Sequence, residues 1–223
     1  MCGRFAFYSP REAITDIFGV EFPLELEPRF NISPTQYVVA LRHPENETRG
    51  SVFEPVLLRW GLIPSWAKDP RIGNRMINAR AETVENKPSF RAAFKRRRCV
   101  VLADGFFEWR PSDGGKIPYF ISMKSRQPFA MAGLWESWKG GDSPIESCAI
   151  ITTAAKGIMT ALHDRMPVIL SADGASRWVD VNNSGRELQS LLLPEDNASI
   201  QYWEVSRSVN NSRNSGPELI DAI

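Results

Sequence analysis

CVVLADGFFEWRPSDGGKIPYFISMKSRQPFAMAGLWESW, residues 99–138, holds three runs rich in β-branched and aromatic residues: CVVLADGFFEW (99–109), PYFISM (118–123) and FAMAGLWESW (129–138). The segments between them, RPSDGGKI and SRQ, are short and dense in turn formers. Strands joined so closely pair antiparallel, because a parallel return needs a crossover of roughly a dozen residues or more. Outward from this meander the same kind of run recurs at YVVAL (37–41), VFEPVLLRWGLI (52–63), SCAIITTA (147–154), PVIL (167–170) and YWEVS (202–206). Helical patterns are fewer: PREAITDIF after Ser9, SFRAAFKRR (89–97), GIMTALHD (157–164), ASRWVD (175–180) and GRELQSLLL (185–193). They do not alternate regularly with the strands. The pattern predicts an α+β fold on a curved, barrel-like, mainly antiparallel β-sheet with peripheral helices, and not a doubly wound parallel sheet. No repeat, low-complexity tract or linker divides the chain, so residues 1–223 are expected to form a single domain.

With 43% hydrophobic and 24% charged residues the chain can bury a sizeable core. Its longest apolar runs, CVVLA (99–103) and CAIITTAA (148–155), fall far short of the ~20 residues that span a membrane. The start, MCGRFAFYSPRE, has no apolar signal-peptide region. A cytoplasmic protein is expected, nucleoid-associated in a bacterium and without a membrane partner. Cys2, Cys99 and Cys148 are odd in number and scattered, which fits a reducing compartment and no disulfide framework. A zinc site would require all three cysteines and either His43 or His163 to converge without local ligand spacing, so neither a metal nor another cofactor is expected.

The formal net charge is only +1, yet its distribution is uneven. Between Arg71 and Arg98 stand nine basic residues against two acidic ones, Glu82 and Glu85. Such a segment is a candidate phosphate-binding face, while the KRRR run at its end reads equally as a solvated helix end.

Cysteine at position two poses a chemical question, since a terminus is a poor place for a packing residue. A small second residue permits removal of Met1, leaving Cys2 with a free amine and a thiol on adjacent carbons. An α-amine titrates near ~7.7–8.0 and a free thiol near ~8.5, so a useful fraction of each is nucleophilic at neutral pH. Such a 1,2-aminothiol condenses with an aldehyde to an imine and then closes a thiazolidine ring. Cys2 reads equally as a small buried hydrophobe of a first strand. Proton transfer in the condensation needs an acid and a base. Glu108 is embedded in an aromatic strand end, where desolvation would raise its pKa, or else it partners an arginine. His163 lies in ALHDRMP, flanked by Asp164 and Arg165, as a catalyst or as a helix-end cap. NISPT (31–35), WGLIPSWAKD (60–69) and INARAET (77–83) concentrate Asn, Trp, Pro and Arg in expected loops. Trp66 could stack on a base or cap the core, and Arg4 and Arg80 could reach phosphates.

In this order, MCGRF, NISPT, WGLIPSWAKD, INARAET, RRCVVLADGFFEW, ITTAA, HDRMPVIL and VSRSVN resemble the SRAP (SOS response-associated peptidase) family of abasic-site processing proteins, from residue 2 to about residue 211. The resemblance implies a covalent sensor of abasic sites in single-stranded DNA, acting in the DNA damage response through a thiazolidine crosslink. It implies Cys2 as nucleophile and Asn78 as the residue that positions its amine. Glu108 would assist proton transfer and autocatalytic, peptidase-like removal of Met1, and His163 would serve Schiff-base formation and ring opening. Arg4, Trp66, Arg80 and Arg165 would hold the DNA. The implied activity is lyase-like, with abasic single-stranded DNA as the partner and a monomer as the working unit. Two rival readings stand beside it: a cysteine peptidase or hydrolase using Cys2 and His163, and a non-covalent single-strand binder using Trp66 and the basic segment.

Overall fold

The computed structural model describes residues 2–23, 26–44, 52–193 and 199–223. Its strands in chain order are β1 (Phe5–Phe7), β2 (Arg29–Ile32), β3 (Tyr37–Arg42), β4 (Glu54–Trp60), β5 (Asn78–Arg80), β6 (Arg98–Ala103), β7 (Gly105–Ser112), β8 (Gly115–Met123), β9 (Phe129–Trp138), β10 (Ile145–Ala154), β11 (Arg165–Pro167), β12 (Ile169–Leu170) and β13 (Ile200–Glu204). Helices α1 (Arg11–Phe18), α2 (Arg91–Arg96), α3 (Ala172–Val179) and α4 (Arg186–Leu191) lie among them.

β10 is the hub, antiparallel to β9 and β11 and parallel to β4 and β5. Strands β4, β3, β6 and β9 pair in series, and β9 pairs back onto β10, so five strands close into a barrel. Closure leaves those strands no unpaired edge toward water. A second, open sheet runs β13-β8-β7-β1-β2 with every neighbour antiparallel. The chain thus adopts the expected α+β, mainly antiparallel, barrel-like architecture; the two parallel partners of β10 are the exceptions.

The run at 99–109, read as one strand, is two strands in two sheets. β6 belongs to the barrel and is buried along its whole length, covered on both faces, which is why its sequence after Arg98 is continuously apolar. At Asp104 the chain leaves the barrel and enters the open sheet as β7. The Asp104 side chain is 1% exposed and accepts the backbone N–H groups of Tyr8 and Ser9 at 2.5 and 2.8 Å, together with the Ser9 hydroxyl. It thereby fastens the end of β1 to the crossover. Gly105 follows because nothing larger fits: a Cβ there would lie 2.2 Å from Cζ of Phe120 and 2.7 Å from the carbonyl oxygen of Ile121.

Three other expectations are corrected locally. β7 and β8 pair down to Ser112 opposite Gly115, leaving Asp113 and Gly114 as a two-residue hairpin turn in place of an eight-residue connection. The helix expected over 157–164 tightens to a 3-10 turn, Gly157–Ala161, with Gly157 at φ 55°, so His163 lies beyond it. Asn78 and Arg80 of INARAET are not in a loop; they form β5, with Asn78 opposite Ile150 and Arg80 opposite Thr152.

The KRRR run divides between surface and interior. Lys95 and Arg96 are exposed, Arg97 pairs with Glu136 at 2.7 Å, and Arg98 is 2% exposed. The Arg98 guanidinium donates to the carbonyls of Phe94 (2.8 Å) and Lys95 (3.0 Å) at the end of α2, and to those of Trp178 (2.6 Å) and Asp180 (2.5 Å) at the end of α3. One cation therefore caps two helix C-termini, where carbonyls lack partners and cations are favoured. Replacing it by Arg98→Met strands these acceptors in the interior, at a cost of about 3 kcal/mol or more. A thermal melt should show Tm lower by roughly 6–12 °C.

Candidate functional site

The residues ahead of β1 continue its register along β7. Phe5 lies opposite Phe106 and the carbonyl of Arg4 accepts the N–H of Phe107 at 2.9 Å, which carries Cys2 toward the part of β7 that bears Glu108. Cys2 is fully buried. Its main-chain carbonyl accepts Nδ2 of Asn78 at 2.7 Å, so β5 anchors it from the barrel side. The other end of the same amide, Oδ1 of Asn78, is buried and has no hydrogen-bond partner among the described residues.

Glu108 is 3% exposed. Burial pushes its carboxyl above the ordinary value of 4.5, while the positive charge of the chain's amino terminus and that of His163 pull the other way. Burial also drives the Cys2 thiol far up, and the negative charge of Glu108 adds to the rise. The expectation of an exposed, untuned thiol is therefore corrected: at neutral pH the buried sulfur carries its proton. Met1, whose removal the sequence suggests, lies outside the described residues.

His163 leads into β11, and its ring is partly buried. Nδ1 lies 2.9 Å from the backbone nitrogen of Arg165 and 2.7 Å from Oδ1 of Asp164. One ring nitrogen cannot accept and donate at once. The neutral ring accepts from Arg165 and carries its proton on Nε2, whereas the imidazolium pairs with Asp164. These two contacts lie beyond the 3-10 turn and not on its carbonyls.

The four residues expected to hold DNA fall into two kinds. Trp66 is 59% exposed, on a loop fixed from below. There the backbones of Gly61 and Gly73 touch, a Cβ on Gly61 falling 2.6 Å from the carbonyl oxygen of Gly73, and Nε1 of Trp138 donates to the carbonyl of Ala67 at 2.7 Å. Arg80 is exposed at the end of β5. Arg4 and Arg165 are instead engaged. Nη1 of Arg4 donates to Oδ1 of Asn31 at 2.7 Å and to the carbonyl of Val209 at 2.9 Å; Arg165 pairs with Glu82.

Sequence reading gave neither Asn31 nor Glu82 a place in the site, although it quoted the blocks that contain them. Asn31 is 6% exposed. It donates to the carbonyls of Asn211 and Asn214 at 3.1 and 2.8 Å, tying the segment after VSRSVN to Arg4. The signal for Glu82 was one of only two carboxylates, close to Arg80, in a strongly basic stretch. Among the described residues no group of three or more His, Cys, Asp or Glu side chains could hold a metal ion, and no helix is long and apolar enough to cross a membrane.

What converges around the buried cysteine is an amide, a carboxyl held toward its neutral form and an imidazole coupled to that carboxyl. This set suits proton transfer to and from a small electrophile.

The family model for SOS response associated peptidase (SRAP) matches residues 1–212. The chain is 44% identical to abasic site processing protein YoaM of Bacillus subtilis, covering 100% of this chain and 98% of that one. It is 32% identical to abasic site processing protein YedK of Escherichia coli, each covered over 100% of its length. Against abasic site processing protein HMCES of Xenopus tropicalis the identity is 34%, over 88% of this chain and 67% of that one. A crystal structure of a protein from Bacteroides thetaiotaomicron superposes with a TM-score of 0.88 at 26% identity, both chains being covered over 100%.

Proposed function

The chain belongs to the SOS response associated peptidase (SRAP) family, and from that premise we propose that it captures abasic sites in single-stranded DNA as a thiazolidine on Cys2, shielding the site from strand cleavage. The observation that carries this reading is the Asn78 amide, which binds the carbonyl of Cys2 with one end and leaves a buried acceptor free at the other. A terminal amine on Cys2, once Met1 is removed, supplies the donor that this acceptor lacks.

The chemistry balances as follows. The Cys2 amine adds to the aldehyde carbon C1′ of the open-chain sugar, and the carbinolamine loses its hydroxyl as water, which takes a proton from Glu108. The iminium so formed lowers the neighbouring thiol's pKa, countering the burial that raises it. Sulfur then adds to the same carbon, its proton returning to Glu108, and the net products are a thiazolidine and one water. His163 serves Schiff-base formation and ring opening. In the same reading, Glu108 also assists hydrolysis of the Met1 to Cys2 peptide bond. Every group required lies on one copy of the chain, acting as a single domain over residues 1–223, and no cofactor enters.

The raised Cys2 thiol weighs against a cysteine hydrolase, which needs a thiolate paired with imidazole. Intact mass after incubation with an abasic oligonucleotide tests the proposal: the expected species is a one-to-one adduct lighter than the sum of the two by one water. Absence of that adduct from protein shown to lack Met1 would defeat it.

Holding the strand falls to Trp66 by stacking and to Arg4, Arg80 and Arg165 by phosphate contacts, with a continuous duplex disfavoured because it hides the sugar. Three phosphates neutralised on a single strand correspond to a slope of about −2 in log affinity against log salt. Titration at several salt concentrations should give that slope, and Arg80→Ala should flatten it by about 0.7. Trp66→Ala should weaken binding by about 5- to 150-fold while leaving the slope unchanged.

A further inference from the structure

Arg165 has a second relationship that its expected DNA contact does not explain. Its Nη1 and Nη2 donate to Oε1 and Oε2 of Glu82 at 2.6 and 3.0 Å, a two-pronged pair. Nη2 also donates to the carbonyl of Thr152 at 2.5 Å. The same carbonyl accepts the N–H of Ala81 at 2.9 Å, so the turn carrying Glu82 and the guanidinium it binds are fixed to one point on β10. The hydrogen bonds from Arg165 hold the Glu82 carboxyl below its ordinary range against the opposing effect of burial, and the charges of Arg165 and Arg80 add to the lowering.

We propose that Glu82 is a positioning residue that, in the free protein, occupies the place of a DNA phosphate on the Arg165 fork, two residues from Arg80, and that holds His163 in register through the main chain of Arg165. This rests on the reading of function given above.

The carboxylate and a phosphodiester are alike in what a guanidinium fork recognises, two oxygens sharing one negative charge, so exchange of one for the other conserves charge at the site. The two partners differ in freedom. The Arg165 side chain is 13% exposed and Glu82 is 50% exposed. Glu82 can therefore swing into water at small cost, while Arg165 stays where β11 and Thr152 keep it. Before DNA arrives, the pair keeps a partly buried cation satisfied. It also steadies the backbone whose N–H meets Nδ1 of His163 at 2.9 Å, which fixes the neutral imidazole with its proton on Nε2.

Three readouts on Glu82→Gln and Glu82→Ala test this, each beside the wild type. On an undamaged single-stranded oligonucleotide at low salt, both variants should bind about 3- to 10-fold more tightly, because a charge competing with phosphate is gone. At saturating abasic oligonucleotide, where phosphate has taken the place of the carboxylate on the Arg165 fork, both variants should crosslink within about twofold of the wild-type rate. Nitrogen NMR of the free protein should find His163 with its proton on Nε2 in the wild type and mixed between ring nitrogens in Glu82→Ala.

Unchanged or weaker binding by both variants overturns the phosphate exchange. His163 signals unaltered in Glu82→Ala overturn the positioning role, and a saturated rate about 10-fold lower would show that Glu82 keeps its place when DNA is bound, which also overturns the exchange. If Glu82→Ala melts at room temperature, Glu82→Gln, which keeps a partner for the fork, decides both points. A wild type that makes no crosslink refutes the proposed function instead, and the His163 signals of the free protein then judge Glu82 on their own.

Discussion

Cys2→Ala protein incubated with an abasic single strand should show no adduct on a denaturing gel, while its non-covalent binding of the strand stays within about twofold of wild type. Binding survives because Trp66 and Arg80 project from elements other than the one bearing the sulfur. The covalent product fails because ring closure is intramolecular. Effective molarities of about 10⁵–10⁸ M mean that millimolar thiol added to the buffer cannot replace the missing group. The variant still carries a terminal amine, and an imine at C1′ acidifies the adjacent sugar carbon. Cys2→Ala is therefore expected to break the strand by β-elimination, turning a shield into a nick. Cys2→Ser should give at most a weak, labile adduct. An N-terminal extension that cannot be removed should give none, because an amide nitrogen has its lone pair delocalised into the carbonyl. A full yield of stable adduct from Cys2→Ala would return Cys2 to the role of an ordinary buried residue, whereas the same yield from the extended protein would show that the amine is dispensable and make Cys2 a plain thiol nucleophile.

Glu108→Gln should slow crosslinking by about 10²-fold or more, the usual range for loss of a general acid and base. It should also remove one limb of the pH–rate profile. Burial raises the Glu108 carboxyl above 4.5, so the wild-type rate is expected to change with an apparent midpoint above the ordinary carboxylate range, and the variant should be flat there. The same shift makes a stability prediction of definite sign. A group whose folded pKa is raised contributes stability that is fully present below the unfolded value and lost as pH rises through the folded one. Below pH 4.5 the two proteins should melt together, and toward neutrality Glu108→Gln should melt higher. A variant that is less stable than wild type at neutral pH would identify Glu108 as a structural ion-pair partner, the alternative the sequence left open.

The arginines show why charge patterning alone is a poor map of a binding face. Nine basic residues between Arg71 and Arg98 look like one electrostatic feature in the sequence. In the fold Arg98 caps two helices from the interior, Arg97 answers Glu136, Arg71 pairs with Asp69, and Arg80 is exposed at the end of β5. Their roles differ by burial, which a local sequence does not report.

The sequence by itself determined most of the longer strands, because alternation and β-branched runs are properties of neighbouring residues, and the ordered blocks that carry the family chemistry; the short strands β1, β2 and β5 escaped it, Asn31 and Ile32 of NISPT ending β2 where a loop was expected. It also marked Cys2, Asn78, Glu108 and His163. Only the tertiary structure decided that the run at 99–109 breaks at Asp104 to serve two sheets, that β9 returns to β10 and closes the barrel, and that Asn78 sits on a strand beside Ile150. It likewise decided that the Cys2 thiol is buried and protonated, and that Arg165 is already held by Glu82. The physical reason is common to all of these. Pairing across a sheet, exclusion of water and the choice of an ion's partner are set by residues tens of positions apart, and each depends on which surfaces the closed fold brings together.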